Sequence, residues 1–501
     1  MRTKKATMNV LTGVLSLVFT SVLSFVISKL FVQSIGVQGS GLNSVYTNMI
    51  SILSVSELGI AGAINFNLYR PVLERDYRKI SLIMSFYKKC YQIIGTVIFV
   101  LALIVSKYVH LLVTDSTYSK EFIQISFLVS AMSTVLSYFL AYHRNLIYAY
   151  QDNYFTVLID FVVKIIFSAI QIFCLLIVKS YLLYLAVNLC QNIVCNLIVA
   201  IISKKRYPEI NFGLKEKDKE LEKRVMKDVK DLAVIQVSAV FINSTDAIII
   251  SKILGVLVAG IYSFYAQIIN LLLGLINTIF SSLGASLGNL LAEDNEENTK
   301  KILNVLVYLC FFGGIFFASG LAGTIIPFIK FWLGTDFIIG KSTVIVLSVN
   351  LYIYIQRQVI TYYLRTGGYH KKLVVPFLIE GVINLAVSII LAYTVGLTGV
   401  FVGTVVSALY GWIQNSYVLF KIFNVEYWKY WSKQLCFGLI FAIQLVISNL
   451  IISYITYNGN ILVTVIVSGI ISIALPMMII IYWILKKEEL ILLRKKFLNK
   501  R

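Results

Sequence analysis

The sequence predicts an all-α polytopic membrane protein of about 14 transmembrane helices, and three observations carry that prediction. First, 58% of the 501 residues are hydrophobic and only 14% are charged, where a soluble protein carries about 25% charged residues. Second, apolar runs recur along the whole chain, each near the roughly 20 residues that cross a bilayer core, and the mean hydropathy is +0.84. Third, the basic residues gather between alternate runs. A soluble enzyme, a nucleic-acid module and a disordered scaffold are excluded together, because so few charges cannot cover so much apolar surface. The net charge of +20 belongs to short clusters flanking apolar runs, as in the cytoplasmic loops of membrane proteins. No nucleic-acid partner is expected.

Read in order, the predicted spans are 9–32, 43–68, 87–109, 121–143, 156–179, 181–203 and 233–254, then 258–290, 302–329, 342–364, 373–395, 397–420, 434–455 and 460–485. The basic start Met1–Lys5 leads into a run long enough to stay as the first span rather than to be cleaved as a signal. The joins at 179–181, 255–258 and 395–397 are short enough to be tight turns. The runs are too long, and lack the alternation, for β-barrel strands.

Orientation follows from the basic residues. With the N-terminus inside, 35 of them fall in inner segments and five in outer ones (Lys107, Lys120, Lys179, Lys330 and Lys341). That asymmetry predicts N-in and C-in, which an even span count requires. The longest connection, 204–232, is a charged linker ending in an amphipathic surface helix, read as a solvated connector between two halves. The six cysteines are scattered through apolar stretches without metal-ligand spacing, so neither zinc nor disulfides are expected.

An internal repeat divides the chain. Residues 35–46, IGVQGSGLNSVY, and 254–265, LGVLVAGIYSFY, lie 219 residues apart and share Gly36/Gly255, Val37/Val256, Gly41/Gly260, Ser44/Ser263 and Tyr46/Tyr265. Each copy joins the first two spans of its half. The expected organisation is an N-terminal six-helix lobe (1–203), the linker (204–232), a C-terminal six-helix lobe (233–421), and two extra helices with a basic tail (422–501). Parallel repeats of this kind build transporters with the substrate path between halves.

These residues resemble a known group. The segment 31–69, containing IGVQGSGLNSVYTNMISILSVSELGIAGAINFNLY, looks like the opening of the Wzx-type polysaccharide flippases. The segments 242–265, INSTDAIIISKILGVLVAGIYSFY, and 396–407, GLTGVFVGTVVS, are similar to later parts of the same pattern. The wider superfamily includes lipid II flippases and multidrug and toxic compound extrusion transporters. The resemblance implies two six-helix lobes around a cavity that opens alternately to either side. It implies a substrate as well, an undecaprenyl-diphosphate-linked oligosaccharide repeat unit.

Ionisable groups inside spans are costly and mark candidate sites. The basic ones are Lys29, Lys164, Lys252 and Arg357, and the acidic ones Glu57, Asp160, Asp246 and Glu380. A lipid diphosphate, with about two negative charges, needs its water shell replaced by donors. Arg357 leads the substrate-binding set, because its fork can hold two phosphate oxygens and keeps its charge. Lys29, Lys252 and Lys164 complete that set. For Lys29 and Lys252 the alternative is snorkelling to outer headgroups, and Lys164 stands i, i+4 from Asp160 and could pair with it. Asp246, Glu57, Glu380 and Asp160 are the ion-coupling candidates, since a carboxylate in a low-dielectric cavity can hold a proton in one state only. The alternative for each is an interhelical ion pair.

Amides within spans and six tyrosines (Tyr262, Tyr265, Tyr352, Tyr354, Tyr362 and Tyr363) are candidates for a glycan path, against packing or an interfacial belt. No phosphate-cradling Gly-rich loop and no catalytic constellation is present, so the chain reads as a non-enzyme without cofactors. The expected activity is flipping of the lipid-linked oligosaccharide from the cytoplasmic to the outer leaflet by alternating access, driven by an ion gradient or the membrane potential, for capsule, exopolysaccharide or O-antigen. Its setting is the bacterial cytoplasmic membrane, with membrane lipids and candidate polymerase or assembly proteins as partners. A small-molecule or multidrug exporter of the same superfamily and a polytopic glycan polymerase or ligase are the alternatives.

Overall fold

A computed structural model describes residues 2–54, 60–214, 216, 218–223, 225–227, 229, 244–292, 296–455 and 460–486. All regular structure among the described residues is helical: α1 (Arg2–Ile35), α2 (Val37–Leu53), α3 (Ile60–Glu74), α4 (Tyr77–Ser106), α5 (Lys120–Ala149), α6 (Asn153–Phe173), α7 (Tyr181–Arg206), α8 (Asp246–Leu254), α9 (Val256–Ala292), α10 (Glu296–Trp332), α11 (Lys341–Thr366), α12 (His370–Val395), α13 (Leu397–Phe423), α14 (Tyr427–Ile455) and α15 (Ile461–Lys486). Twelve stretches among the described residues are long and apolar enough to cross a membrane. The two other predicted spans fall partly outside the described residues. Residues 43–68 are read as α2 and α3 flanking 55–59, and of 233–254 the helix described is α8.

The helix breaks have local causes. Asp76, Ser119 and Ser180 cap α4, α5 and α7 by accepting from the backbone N–H of Lys79, Phe122 and Leu183, which satisfies one orphan donor each. The predicted tight joins are breaks in the structure, at Lys179, Gly255 and Gly396. Gly36 and Gly255 share one backbone conformation, with φ of 97° and 95°, a region that side chains avoid and glycine occupies freely. The first repeat identity therefore has a steric reason.

By packing, the chain forms two compact units, residues 1–267 and 268–501. In the first, the two repeat copies meet. A Cβ on Gly41 would enter the Val256 carbonyl oxygen, and one on Gly260 would enter the Val37 carbonyl oxygen. Two further repeat identities thus touch each other reciprocally, at a backbone approach that only small residues allow. The segment 109–117 straps this crossing. Thr114 Oγ1 donates to the Ser251 carbonyl at 2.7 Å, and its own carbonyl accepts from Val256 N at 3.0 Å. Thr117 N donates to Gln38 Oε1 at 2.9 Å.

Buried Ile27, Phe31, Leu42, Tyr46, Phe127 and Tyr181 pack at this end of the unit. A second core gathers Ile64, Tyr87, Tyr91, Tyr138 and Leu146 with Tyr207, Ile210, Phe212 and Val225 from the linker. The described charged residues of the linker are largely exposed, as expected, but the segment is packed on the unit rather than free: Tyr207, Ile210, Phe212 and Val225 are buried, Asn211 N donates to Ser81 Oγ at 2.9 Å, and Leu214 N donates to Ser85 Oγ at 3.0 Å. Arg78 pairs with Glu216 at the same place. Burial beside the Asp152 carboxylate pushes the Tyr207 phenol above its ordinary range.

In the second unit, Tyr308, Phe311, Phe437 and Trp483 form one aromatic cluster, with Phe311 and Phe437 stacked at 4.0 Å. Leu435, Leu439, Val446 and Leu450 stand exposed along α14. Such a stripe would be a liability in water and is suited to hydrocarbon.

Candidate functional site

The buried charge of the second unit is held by three helices. Arg357 comes from the middle of α11, and its NH1 lies 2.6 Å from Glu380 Oε1 on α12. Their side chains are 14% and 1% exposed. The α13 surface facing Glu380 is kept open by Gly411, where a Cβ would strike the carboxylate. Gly411 continues a small-residue stripe, Gly399, Gly403 and Ser407, with the four-residue period of one helix face. The same NH1 also reaches the Ala408 carbonyl, at 3.4 Å. One turn along α12, Asn384 Nδ2 donates to Ser407 Oγ at 3.3 Å. Asn415 is 1% exposed, and neither amide atom has a partner among the described residues.

Two features mark the geometry of this pair. Glu380 Oε2 is enclosed without a hydrogen-bond partner among the described residues. Arg357 bonds through NH1 alone there, and its other nitrogens are not among the enclosed, unpartnered atoms. Those donors therefore remain accessible.

The first unit carries a related arrangement on α5, α6 and α7. Arg144 NH1 and NH2 donate to both oxygens of Asp160 at 2.9 and 2.7 Å, and Nε donates to Asn196 Oδ1 at 2.9 Å. The Cys195 thiol donates to Asp160 Oδ1 at 2.8 Å. Here the side chains are 29% and 45% exposed. One expectation is corrected and one boundary moves. α5 runs past the predicted span end at 143 to Ala149, so Arg144 stands within the helix, five residues before its end. The i, i+4 pairing of Asp160 with Lys164 is not formed, because Arg144 takes both carboxylate oxygens.

The other candidates are spread. Lys164 is half-buried on α6 and has no partner among the described residues. Lys29 is exposed on α1, beside Ser28, whose hydroxyl donates to Gln267 Oε1 at 3.0 Å. Lys252 Nζ donates to the Leu111 carbonyl at 2.8 Å, so it ties the 109–117 strap to α8. Asp246 opens α8, close enough to Tyr262 for the two to interact electrostatically. Glu57 lies outside the described residues. Of the glycan-path tyrosines, Tyr265, Tyr352 and Tyr363 are buried, and Tyr352 stacks on Phe441 at 4.3 Å. Tyr262, Tyr354 and Tyr362 are partly exposed, with Tyr354 donating to Asn277 Oδ1 at 2.8 Å.

With twelve membrane-length apolar helices among the described residues, the chain is a multi-pass membrane protein. Solved structures of that class share the fold. A lipid II flippase MurJ in an inward closed conformation matches with a TM-score of 0.67 at 14% identity, over 94% of this chain and 98% of that one. An inward-facing multidrug resistance MATE family transporter of the MOP superfamily matches at 0.60 and 14% identity, over 80% and 94%. The Vibrio cholerae MATE transporter VcmN in the bent form matches at 0.55 and 12% identity, over 83% and 96%. Comparison with curated proteins finds no match. The family profile described as polysaccharide biosynthesis protein matches residues 6–284, and the chain belongs to that family. Its fold is the one that the MurJ flippase and MATE transporter structures share.

Proposed function

We propose that this protein flips an undecaprenyl-diphosphate-linked oligosaccharide from the cytoplasmic to the outer leaflet of a bacterial cytoplasmic membrane, by alternating access of two six-helix lobes (1–203 and 233–421). The observation that carries the reading is the half-used guanidinium of Arg357. Glu380 fixes it through one nitrogen and leaves further donors open, and a diphosphate oxygen is the acceptor such donors fit. Glu380 then has a task beyond anchoring. When an anion draws Arg357 away, the buried carboxylate loses its counter-charge and a proton becomes favourable on it. Substrate binding and proton uptake are thereby linked, which is what coupling to an ion gradient requires. Lys29, Lys252 and Lys164 remain the secondary cationic candidates, and Asp246, Asp160 and Glu57 the secondary carboxylates.

The test is transbilayer movement of a labelled undecaprenyl-diphosphate oligosaccharide in proteoliposomes, with wild type, Arg357→Ala and Arg357→Lys. Protein-dependent movement is expected in wild type, none in the alanine variant, and a fraction in the lysine variant, which keeps charge but not the fork. Movement equal in all three removes Arg357 from the substrate path. No movement above empty liposomes, with several glycans and ion gradients tried, favours a small-molecule exporter, a reading that the likeness in fold to MATE transporters keeps in view.

A further inference from the structure

A cavity lies in the second unit, away from Arg357, at the helix ends where α10 begins, α13 finishes and α14 begins. It encloses about 380 Å³. Lys300, Lys429 and Lys433 rim it, Asn304 contributes an amide, and Val307 and Phe420 form an apolar wall. Among the described residues one carboxylate, Glu426, lines it against three ammonium groups. That carboxylate sits 4.0 Å from Lys429 with both side chains largely exposed, too loose a pair to neutralise the site. Lys300 meets Glu296 at 3.2 Å one turn away on the surface. Lys433 is held in place: Nζ donates to Asn304 Oδ1 at 2.7 Å and stands 4.5 Å over the Tyr308 ring. The cavity thus combines one anchored and two more exposed cations with an apolar wall. It sits at the end of the helices where the basic residues predict the cytoplasmic face.

We propose that this cavity binds the headgroup of an anionic phospholipid of the surrounding membrane. Cations over an apolar wall at a membrane boundary fit a phosphate that carries an acyl chain, and basic pockets between membrane helices recognise such lipids. A free phosphate shares the charge chemistry but makes no use of the Val307 and Phe420 wall. The inference is independent of the flippase reading, since neither Arg357 nor Glu380 lines the cavity.

Native mass spectrometry of the full chain in detergent tests it, with phosphatidylglycerol, phosphatidylcholine and inorganic phosphate as probes. Phosphatidylglycerol is expected to be retained preferentially over phosphatidylcholine. Retention should fall about tenfold or more in the Lys300→Gln, Lys429→Gln double variant, given roughly a kilocalorie per cation near a lipid surface. Adding Lys433→Gln should weaken it further, and if that triple variant fails to fold, the double variant decides. The Lys371→Gln, Lys372→Gln variant, changed at basic residues outside the cavity, should retain phosphatidylglycerol as wild type does. Equal retention of the two lipids overturns the proposal, as does an unchanged double variant. Displacement by millimolar inorganic phosphate would reassign the site to a soluble anion.

Discussion

Arg144–Asp160 and Arg357–Glu380 fall on the helices of the fourth, fifth and sixth predicted spans of each half, yet they employ their guanidinium groups differently. Arg144 spends all its faces: two nitrogens on Asp160, one on Asn196, with Cys195 beside them. Arg357 spends one nitrogen on Glu380. The pairs also differ in depth. Arg144 lies five residues before the end of α5 and Arg357 nine before the end of α11. Asp160 stands seven residues into α6 and Glu380 ten into α12. One helical turn separates a half-exposed, saturated tie from a buried pair with unmet donors and an unmet acceptor. Saturation makes a brace, and incompleteness at depth makes a site that something else can complete.

The largest way to break this contrast is Arg357→Ala. It strands a carboxylate that is 1% exposed, and removing one partner of a buried pair costs about 3–5 kcal/mol. The purified protein should melt markedly lower, and more so than Arg144→Ala. The double variant Arg357→Leu, Glu380→Leu should recover much of the loss, because apolar replacement of a buried pair is often neutral. A wild-type melting temperature in Arg357→Ala would show that the pair does not hold α11 to α12.

A smaller effect sharpens the role of α13. Gly411→Ala drives a methyl into the Glu380 carboxylate, and overpacking of this kind costs about 1–3 kcal/mol. If the carboxylate is what the methyl meets, the cost should shrink in a Glu380→Ala background. Equal costs in both backgrounds would locate the conflict elsewhere on α12.

What the sequence made legible were features with a fixed physical period or a steric demand. Apolar runs set by bilayer thickness placed the helices, and glycines at 36, 41, 255 and 260 marked a repeat whose copies meet in the first unit. Arg357 and Glu380 were both legible as buried charges, while their partnership was not, because it joins helices 23 residues apart in sequence. Arg144 fell beyond its predicted span for a specific reason. A span of about 20 residues ended the run at 143, whereas α5 continues to Ala149 and carries the arginine inside it. The linker was half legible: its lysines are exposed as read, while the packing of Tyr207, Ile210 and Phe212 beneath them was not seen. The order within each half was therefore readable, and the pairings across helices were not.

The smallest expected effect bears on the first clasp and separates geometry from sequence spacing. Lys164 is one turn from Asp160, and helical i, i+4 pairs contribute about 0.2–0.5 kcal/mol. Arg144 is 16 residues away along the chain and still takes both oxygens. Coupling measured by double-mutant cycles on melting should thus be about 1 kcal/mol for Arg144→Gln with Asp160→Asn, a partly exposed but bidentate pair. For Lys164→Gln with Asp160→Asn it should stay within about 0.3 kcal/mol. The ammonium of Lys164 would have to share an oxygen that Arg144 already occupies, and Oδ1 also accepts from Cys195. A larger Lys164 coupling would mean that Asp160 is shared, and the clasp of the first unit would then be as incomplete as that of the second.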